Sequence, residues 1–219
     1  MDWTTFRTSS EPDFSRIETV LRRTGEPDRV PFFELFSQIQ PEVLRTIGRP
    51  LIADWADEGP ERVEQELTQH ITYMVSLGYD YINAGARQFR FPQKDRPRAM
   101  TTEGERGYLK SDTCTIASWE DFDTYPWPEV SEANFSPLEI APSLIPDGMK
   151  VIPIGPGGVL ENAMWLLGYE GISYALYDDE PLVRATFDAV GSRLVALFDE
   201  LASFDVVGAV ALGDDLGFR

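Results

Sequence analysis

DVVGAVALGDDLGFR, Asp205 to Arg219, is the stretch on which the reading of this chain turns. Eight mostly apolar residues, Asp205 to Leu212, end at Gly213, and two carboxylates, Asp214 and Asp215, follow at once. A continuous apolar run of this kind suits a parallel strand covered on both faces. In parallel α/β folds, ligands bind at the carboxyl ends of strands, so acids placed there invite attention. Adjacent acids need not share a face. One of the pair reads as a general base, or as an acceptor for a substrate N–H or a metal-bound water. The other reading, equally open, has the pair capping a following helix or turn.

Working back from this stretch, three further runs have the character of short buried strands: Val30–Phe36 (VPFFELF), Tyr79–Gly85 (YDYINAG) and Met149–Gly155 (MKVIPIG). Helical spacing separates them. Phe14, Ile17, Val20 and Leu21 mark a helix over about 14–24, and Val63, Leu67, Ile71, Met74 and Val75 mark another over Pro60–Leu77, stopped by Gly78. Val159–Leu167 and the segment GYEGISYALYDD are shorter helices. Asp178, Asp179 and Glu180 before Pro181 form the N-terminus of a long helix reaching Ser203, with acids on its dipole and proline in its first turn. Helices alternating with strands predict an α/β fold with parallel strands. Right-handed crossovers would curl such a series into part of a (β/α)8 TIM barrel. A complete barrel takes ~250 residues, whereas four β/α units occupy all of this chain. The expectation is a single partial barrel domain over 1–219, truncated to about its first four units; a smaller open sheet is the alternative. Residues 86–146 break the rhythm. They read as an insertion between the second and third strands, with a β-hairpin near GYLKSDTCTIAS and a loop, SWEDFDTYPWPEV.

The formal net charge is -18, with 19 basic residues against 37 acidic. Such a surface repels phosphate backbones and anionic membranes, so neither is an expected partner. One cysteine, Cys114, precludes an intrachain disulfide and fits a reducing compartment. The first residues lack the basic and apolar regions of a signal peptide, and no apolar run approaches the ~20 residues of a membrane span. A cytoplasmic protein is expected.

The expected strand ends bring forward Glu34, Asn83, Gly155 and the pair Asp214–Asp215. Arg87 and Arg90, in NAGARQFRF, offer guanidinium groups to a substrate carboxylate, or answer the acidic surface. Gly155-Pro156-Gly157-Gly158 precedes a helix and could cradle an anion, but it lacks the lysine and hydroxyl of a phosphate loop; a tight turn is the plainer reading. Trp119, Tyr125 and Trp127 could wall a flat ligand or anchor their loop. His70 is the only histidine, and Cys114 has no second cysteine, so this chain has no cysteine zinc site.

Several segments together resemble the uroporphyrinogen decarboxylase superfamily: GEPDRVPFFELF, SWEDFDTYPWPEV, VIPIGPGGVLENAMWLLGYEG, LYDDEPLVRATFDAVG and VVGAVALGDDLGF. They occur in the family's order and touch most of the chain. The resemblance implies a (β/α)8 barrel that continues beyond the strand similar to VVGAVALGDD, which agrees with truncation. The family's decarboxylases carry arginines just after the first strand, an aspartate after the second and a tyrosine in the helix after the third. Here those places read FFELFSQIQ with Glu34, INAGAR without an acid, and Met164 or Trp165. A polycarboxylate porphyrinogen would be repelled by Glu34 and the net charge. The branch that transfers methyl groups from corrinoid proteins resembles the chain better. It implies a corrinoid as methyl donor, an acceptor thiol or related acceptor, and a zinc ion whose ligands lie in the barrel's second half. The expected site comprises Asp214, Asp215 and Glu34 as catalytic groups, and Asn83, Arg87, Gly155 and Gly157 as substrate-binding groups. The expected partner is a corrinoid protein or a small tetrapyrrole. The alternatives are porphyrinogen decarboxylation in porphyrin biosynthesis, and a catalytically inactive half-barrel. A truncated barrel would also leave edges that favour self-association.

Overall fold

The structure is a computed structural model, and it describes residues 11–35, 39–49, 51–52, 56, 59–94, 98–100, 107–109 and 114–215. In chain order the elements are α1 (Ser15–Arg22), α2 (Pro41–Thr46), α3 (Pro60–Leu77), β1 (Tyr81–Ile82), β2 (Arg98–Met100), β3 (Gly107–Leu109), α4 (Trp119–Thr124), α5 (Ser136–Ile140), β4 (Lys150–Val151), α6 (Val159–Leu167), α7 (Tyr169–Asp178) and α8 (Glu180–Ala202). The fold is mixed α/β. No helix among the described residues is long and apolar enough to cross a membrane. Two compact units divide the chain. The first comprises Met1–Arg87, Asn134–Ile154 and Glu200–Ala211; the second comprises Gln88–Ala133, Gly155–Asp199 and Leu212–Arg219.

The first unit contains the parallel ladder. Tyr81 and Ile82 pair in parallel with Lys150 and Val151. On the other side of β4, parallel bridges join Val151 to Val207 and Ile154 to Ala211. The backbone amides of Val151 and Ala211 donate to Val206 and Pro153, each at 2.9 Å, and Gly208 donates back to Val151 at 3.0 Å. Three of the four expected strands therefore lie side by side, in chain order and all parallel. Their centre is fully buried: Tyr81, Ile82, Val151 and Ile152 expose almost nothing. Val63, Leu67, Ile71 and Met74 of α3 form the predicted buried stripe, and Gly78 ends the helix in the left-handed conformation (φ 85°), as its missing side chain permits.

Two expectations for this unit need correction. The run Val30–Phe36 is not a strand over 30–35, and Phe36 lies outside the described residues. Phe32 and Phe33 are exposed yet approach Tyr79 and Tyr81 with ring centroids 5.7 Å apart. Ring contacts rather than a backbone ladder thus occupy these apolar residues. Asp205–Leu212 is likewise not a continuous strand. Its bridges fall at Val207 and Ala211 only, and Val210 and Leu212 are exposed. Gly208 still donates to Val151 O, and it has no room for a side chain because the Phe14 ring would lie 2.4 Å from an added Cβ. Among the described residues the ladder does not close into a barrel.

A buried ion network precedes β1. The Oδ1 of Asp80, a residue with no exposed surface, accepts from Arg16 Nη1 (2.8 Å), Arg29 Nη2 (2.7 Å) and the Asp13 amide (2.9 Å). Arg16 also binds Asp28, through Nε at 2.6 Å.

The second unit contains the expected hairpin, β2 against β3 in antiparallel register with Ala99 opposite Tyr108. It also contains α4, where the sequence had suggested a loop. The missed signal is Ser118-Trp119-Glu120-Asp121, a capping box. Ser118 Oγ accepts from the Asp121 amide at 3.2 Å, and Asp121 Oδ2 accepts in return from Ala117 N at 3.1 Å. Lys94 first, then these donors, pull the Asp121 carboxyl down to about 2. Trp127 anchors the segment after α4. It lies 4.5 Å from the Tyr125 ring, 5.3 Å from Phe122 and 5.0 Å beneath the Arg193 guanidinium. Asp179 Oδ1 accepts from the Leu182 amide at 3.2 Å and so caps α8, while Asp178 ends α7 and Glu180 pairs with Arg184.

Candidate functional site

The residue types singled out at the strand ends are polar groups emerging from an apolar ladder. Such groups either find partners within the protein or wait for a ligand. In the first unit they have partners. Glu34 offers its backbone to the Tyr81 hydroxyl, which receives a bond from Glu34 N and donates one to Glu34 O, both at 2.8 Å. Burial first, and then the nearby Glu34 carboxylate, push the Tyr79 phenol well above its ordinary value. Asn83, just past β1, donates from Nδ2 to Ile152 O at 3.1 Å and so ties the two neighbouring segments together. Arg87 pairs with Glu66 of α3, which also accepts from Arg62 at 2.6 Å. Burial raises the Glu66 carboxyl, but Arg62 and Arg87 outweigh it, and the net shift is downward.

In the second unit the structure answers the question posed by the two acids. Asp214 caps a helix, but one that precedes it in the chain by more than fifty residues. Its carboxylate accepts from Leu160 N (3.0 Å) and Glu161 N (2.9 Å), two of the free amides in the first turn of α6, and also from Asp215 N at 2.9 Å. The glycine loop makes room for it. A Cβ on Gly158 would lie 2.0 Å from the Asp214 carboxyl carbon, inside its van der Waals envelope. Gly157 turns with φ 96°, and a Cβ there would strike Glu161 Oε2 at 2.5 Å. The Gly-Pro-Gly-Gly loop and the terminal acids are thus two halves of one arrangement, in which the anion cradled at the helix N-terminus is the protein's own. Asp215 is exposed. Burial first, then Asp215 and Asp214, push the neighbouring Glu161 carboxyl upward. With the Asp214 oxygens engaged by α6, Asp215 and Glu161 are the other two carboxylates of this cluster. Gly155 serves packing: the Phe198 ring would be 2.6 Å from a Cβ placed on it.

The second unit also encloses a cavity of about 460 Å³, lined by Arg90, Phe91, Gln93, Pro156, Asn162 and Trp165 among others. Asn162, buried on α6, shapes one wall by donating from Nδ2 to Gly158 O (2.8 Å) and Pro156 O (3.2 Å). Of the two arginines after the second expected strand, Arg87 is held by Glu66, whereas Arg90 lines this cavity. Asn162 and Gln93 fall outside the expected site, and Trp165 enters it only as the place of a family tyrosine. Residues three apart on one helix share a face, and this was the available signal for Asn162 and Trp165.

Among the described residues no group of three or more His, Cys, Asp and Glu side chains could hold a metal ion. Cys114 is half-buried, its Sγ donates to Ile116 O at 3.0 Å, and burial pushes its thiol above its ordinary value, the opposite of an activated thiolate. His70 stands half-buried on α3.

Neither a family model, nor a curated protein, nor a solved structure matches the chain.

Proposed function

We propose that the chain is a uroporphyrinogen decarboxylase-like protein of (β/α)8 descent, and that it acts in methyl transfer between a corrinoid carrier and an acceptor thiol or related acceptor. The observation that carries this reading is the parallel succession of Tyr81–Ile82, Lys150–Val151 and the bridged residues Val207 and Ala211, in chain order. Neighbouring parallel strands taken in sequence are how the staves of a β/α barrel are laid. Two of the segments that resemble the superfamily, VIPIGPGGVLENAMWLLGYEG and VVGAVALGDDLGF, run through Val151 and through Val207 and Ala211.

In the reaction, the acceptor sulfur bonds to the methyl carbon as the carbon–cobalt bond breaks, its electron pair remaining on cobalt, and the thiol proton passes to a base. Asp215 and Glu161 are the residues we assign to that proton; Asp214 positions them by holding the start of α6. No step is routed through zinc. Porphyrinogen decarboxylation is the weaker reading because a polycarboxylate needs several guanidinium groups, and three of those in the first unit are already taken. Arg16 and Arg29 bind Asp80, and Arg87 binds Glu66. The test is incubation of the protein with methylcobalamin and 2-mercaptoethanol. Protein-dependent loss of the methylcobalamin spectrum, with formation of the methyl thioether, is expected. Absence of transfer, together with carboxyl loss from uroporphyrinogen, would replace this reading with the decarboxylase.

A further inference from the structure

We infer that the cavity beside Arg90 and Trp165 is a binding site for a small planar organic carboxylate. The inference rests on the methyl-transfer reading only in giving this ligand the acceptor's role; the site itself is argued from its residues.

The volume of about 460 Å³ falls within the range of small-molecule sites, ~300–1,000 Å³. It is smaller than a tetrapyrrole with its side chains, so neither a porphyrinogen nor a corrin is its occupant. Trp165 and Phe91 present aromatic surface, which favours a flat ligand over a branched one. Phe91 is itself held edge-on by Phe89 and Trp127, with centroids 6.0 and 6.4 Å away, so this wall is backed by packed rings. The polar side chains of the lining include an amide from Asn162 and the Arg90 guanidinium.

The guanidinium decides the sign of the ligand. Acids outnumber basic residues 37 to 19, so most arginines have a carboxylate within reach. Arg16, Arg22, Arg29, Arg45, Arg62, Arg87, Arg184 and Arg193 all pair with one. Arg23, Arg49 and Arg90 form no ion pair among the described residues, and of these Arg90 alone lines the cavity. A planar fork of N–H donors matches a carboxylate in two parallel bonds. In a chain of net charge -18, an arginine that remains available beside an aromatic-walled cavity is a local site for an anion in a field that otherwise excludes anions.

Isothermal titration calorimetry of the full chain with benzoate, and with benzamide as its uncharged counterpart, tests the site. Benzoate is expected to bind at least tenfold more tightly than benzamide, the size of effect a charge-assisted pair supplies. R90Q should bring benzoate down to the benzamide level with the thermal midpoint unchanged, since Arg90 is exposed. W165L should weaken both ligands together. Equal affinity for the two ligands, an unchanged R90Q, or no benzoate heat at all would overturn the inference. Benzoate binding without methyl transfer would leave the site and remove the reaction class; methyl transfer without benzoate binding would do the reverse.

Discussion

Asp214 shows how one side chain can be read two ways until its partners are known. As a general base it would need a free oxygen; as a cap it spends its oxygens on Leu160 N and Glu161 N. The two roles separate experimentally. D214A should lower stability by about 1 kcal/mol, the usual cost of losing a cap. In a chain of this size that corresponds to a fall of ~2–4 °C in the thermal midpoint. D214N, which keeps one acceptor oxygen, should fall less. An unchanged midpoint for D214A in a thermal melt would refute the capping role. Glu66 makes a second residue-scale prediction. Its folded carboxyl titrates below the ordinary value of 4.5 because Arg62 and Arg87 outweigh its burial. Its contribution to stability is therefore fully present above pH 4.5 and is lost as pH falls through the depressed folded value. E66Q should start less stable at neutral pH and lose less stability on acidification. Urea unfolding from pH 7 down to pH 3 would detect this, and parallel curves for the two proteins would contradict it.

At the scale of elements, the segment Asp205–Leu212 carries the clearest consequence. Its hydrogen bonds to β4 run on both sides of Gly208, which has no side chain where the Phe14 ring and the Lys150 Cβ (2.9 Å from an added Cβ) close in. G208A forces an extra carbon between α1 and the ladder. Overpacking of this kind costs about 1–3 kcal/mol, and chemical denaturation of G208A should report a loss in that range. An alanine tolerated without loss would mean that Phe14 is not held against the segment. The helices follow their sequence signals closely: α3 spans the predicted Pro60–Leu77, and α6 the predicted Val159–Leu167. Periodic burial and a terminal glycine are local properties, and local properties are visible in sequence. The strand at Val30–Phe36 failed because an apolar run states only that residues avoid water. Whether a backbone ladder or a neighbouring ring does the covering depends on residues far away in the chain. The α4 helix was missed for the opposite reason, since its capping box lay in plain view in a stretch dominated by prolines and acids.

For the whole molecule, composition sets the outward behaviour. A net charge of -18 makes copies of the chain repel one another. Against that repulsion stand apolar side chains on the surface of the first unit, Val30 at 81% exposure and Phe33 at 55% among them. Clusters of this kind favour association. Light scattering across a concentration series in high salt, which screens the like charges, should show a mass that rises with concentration; a constant monomer mass would count against it.

By itself the sequence determined the α/β class, the positions of the main helices, the hairpin between the second and third expected strands, and the Asp179 cap of α8. Each of these depends on neighbours within a few residues, through periodicity, capping or turn chemistry. Only the tertiary structure decided that Ile82, Val151 and Val207 stand in one parallel row, that Asp214 closes the start of α6, and that Arg87 is paired while Arg90 borders a cavity. The partners in these contacts are far apart in the chain, and a charged side chain carries no local mark of which distant group will neutralise it.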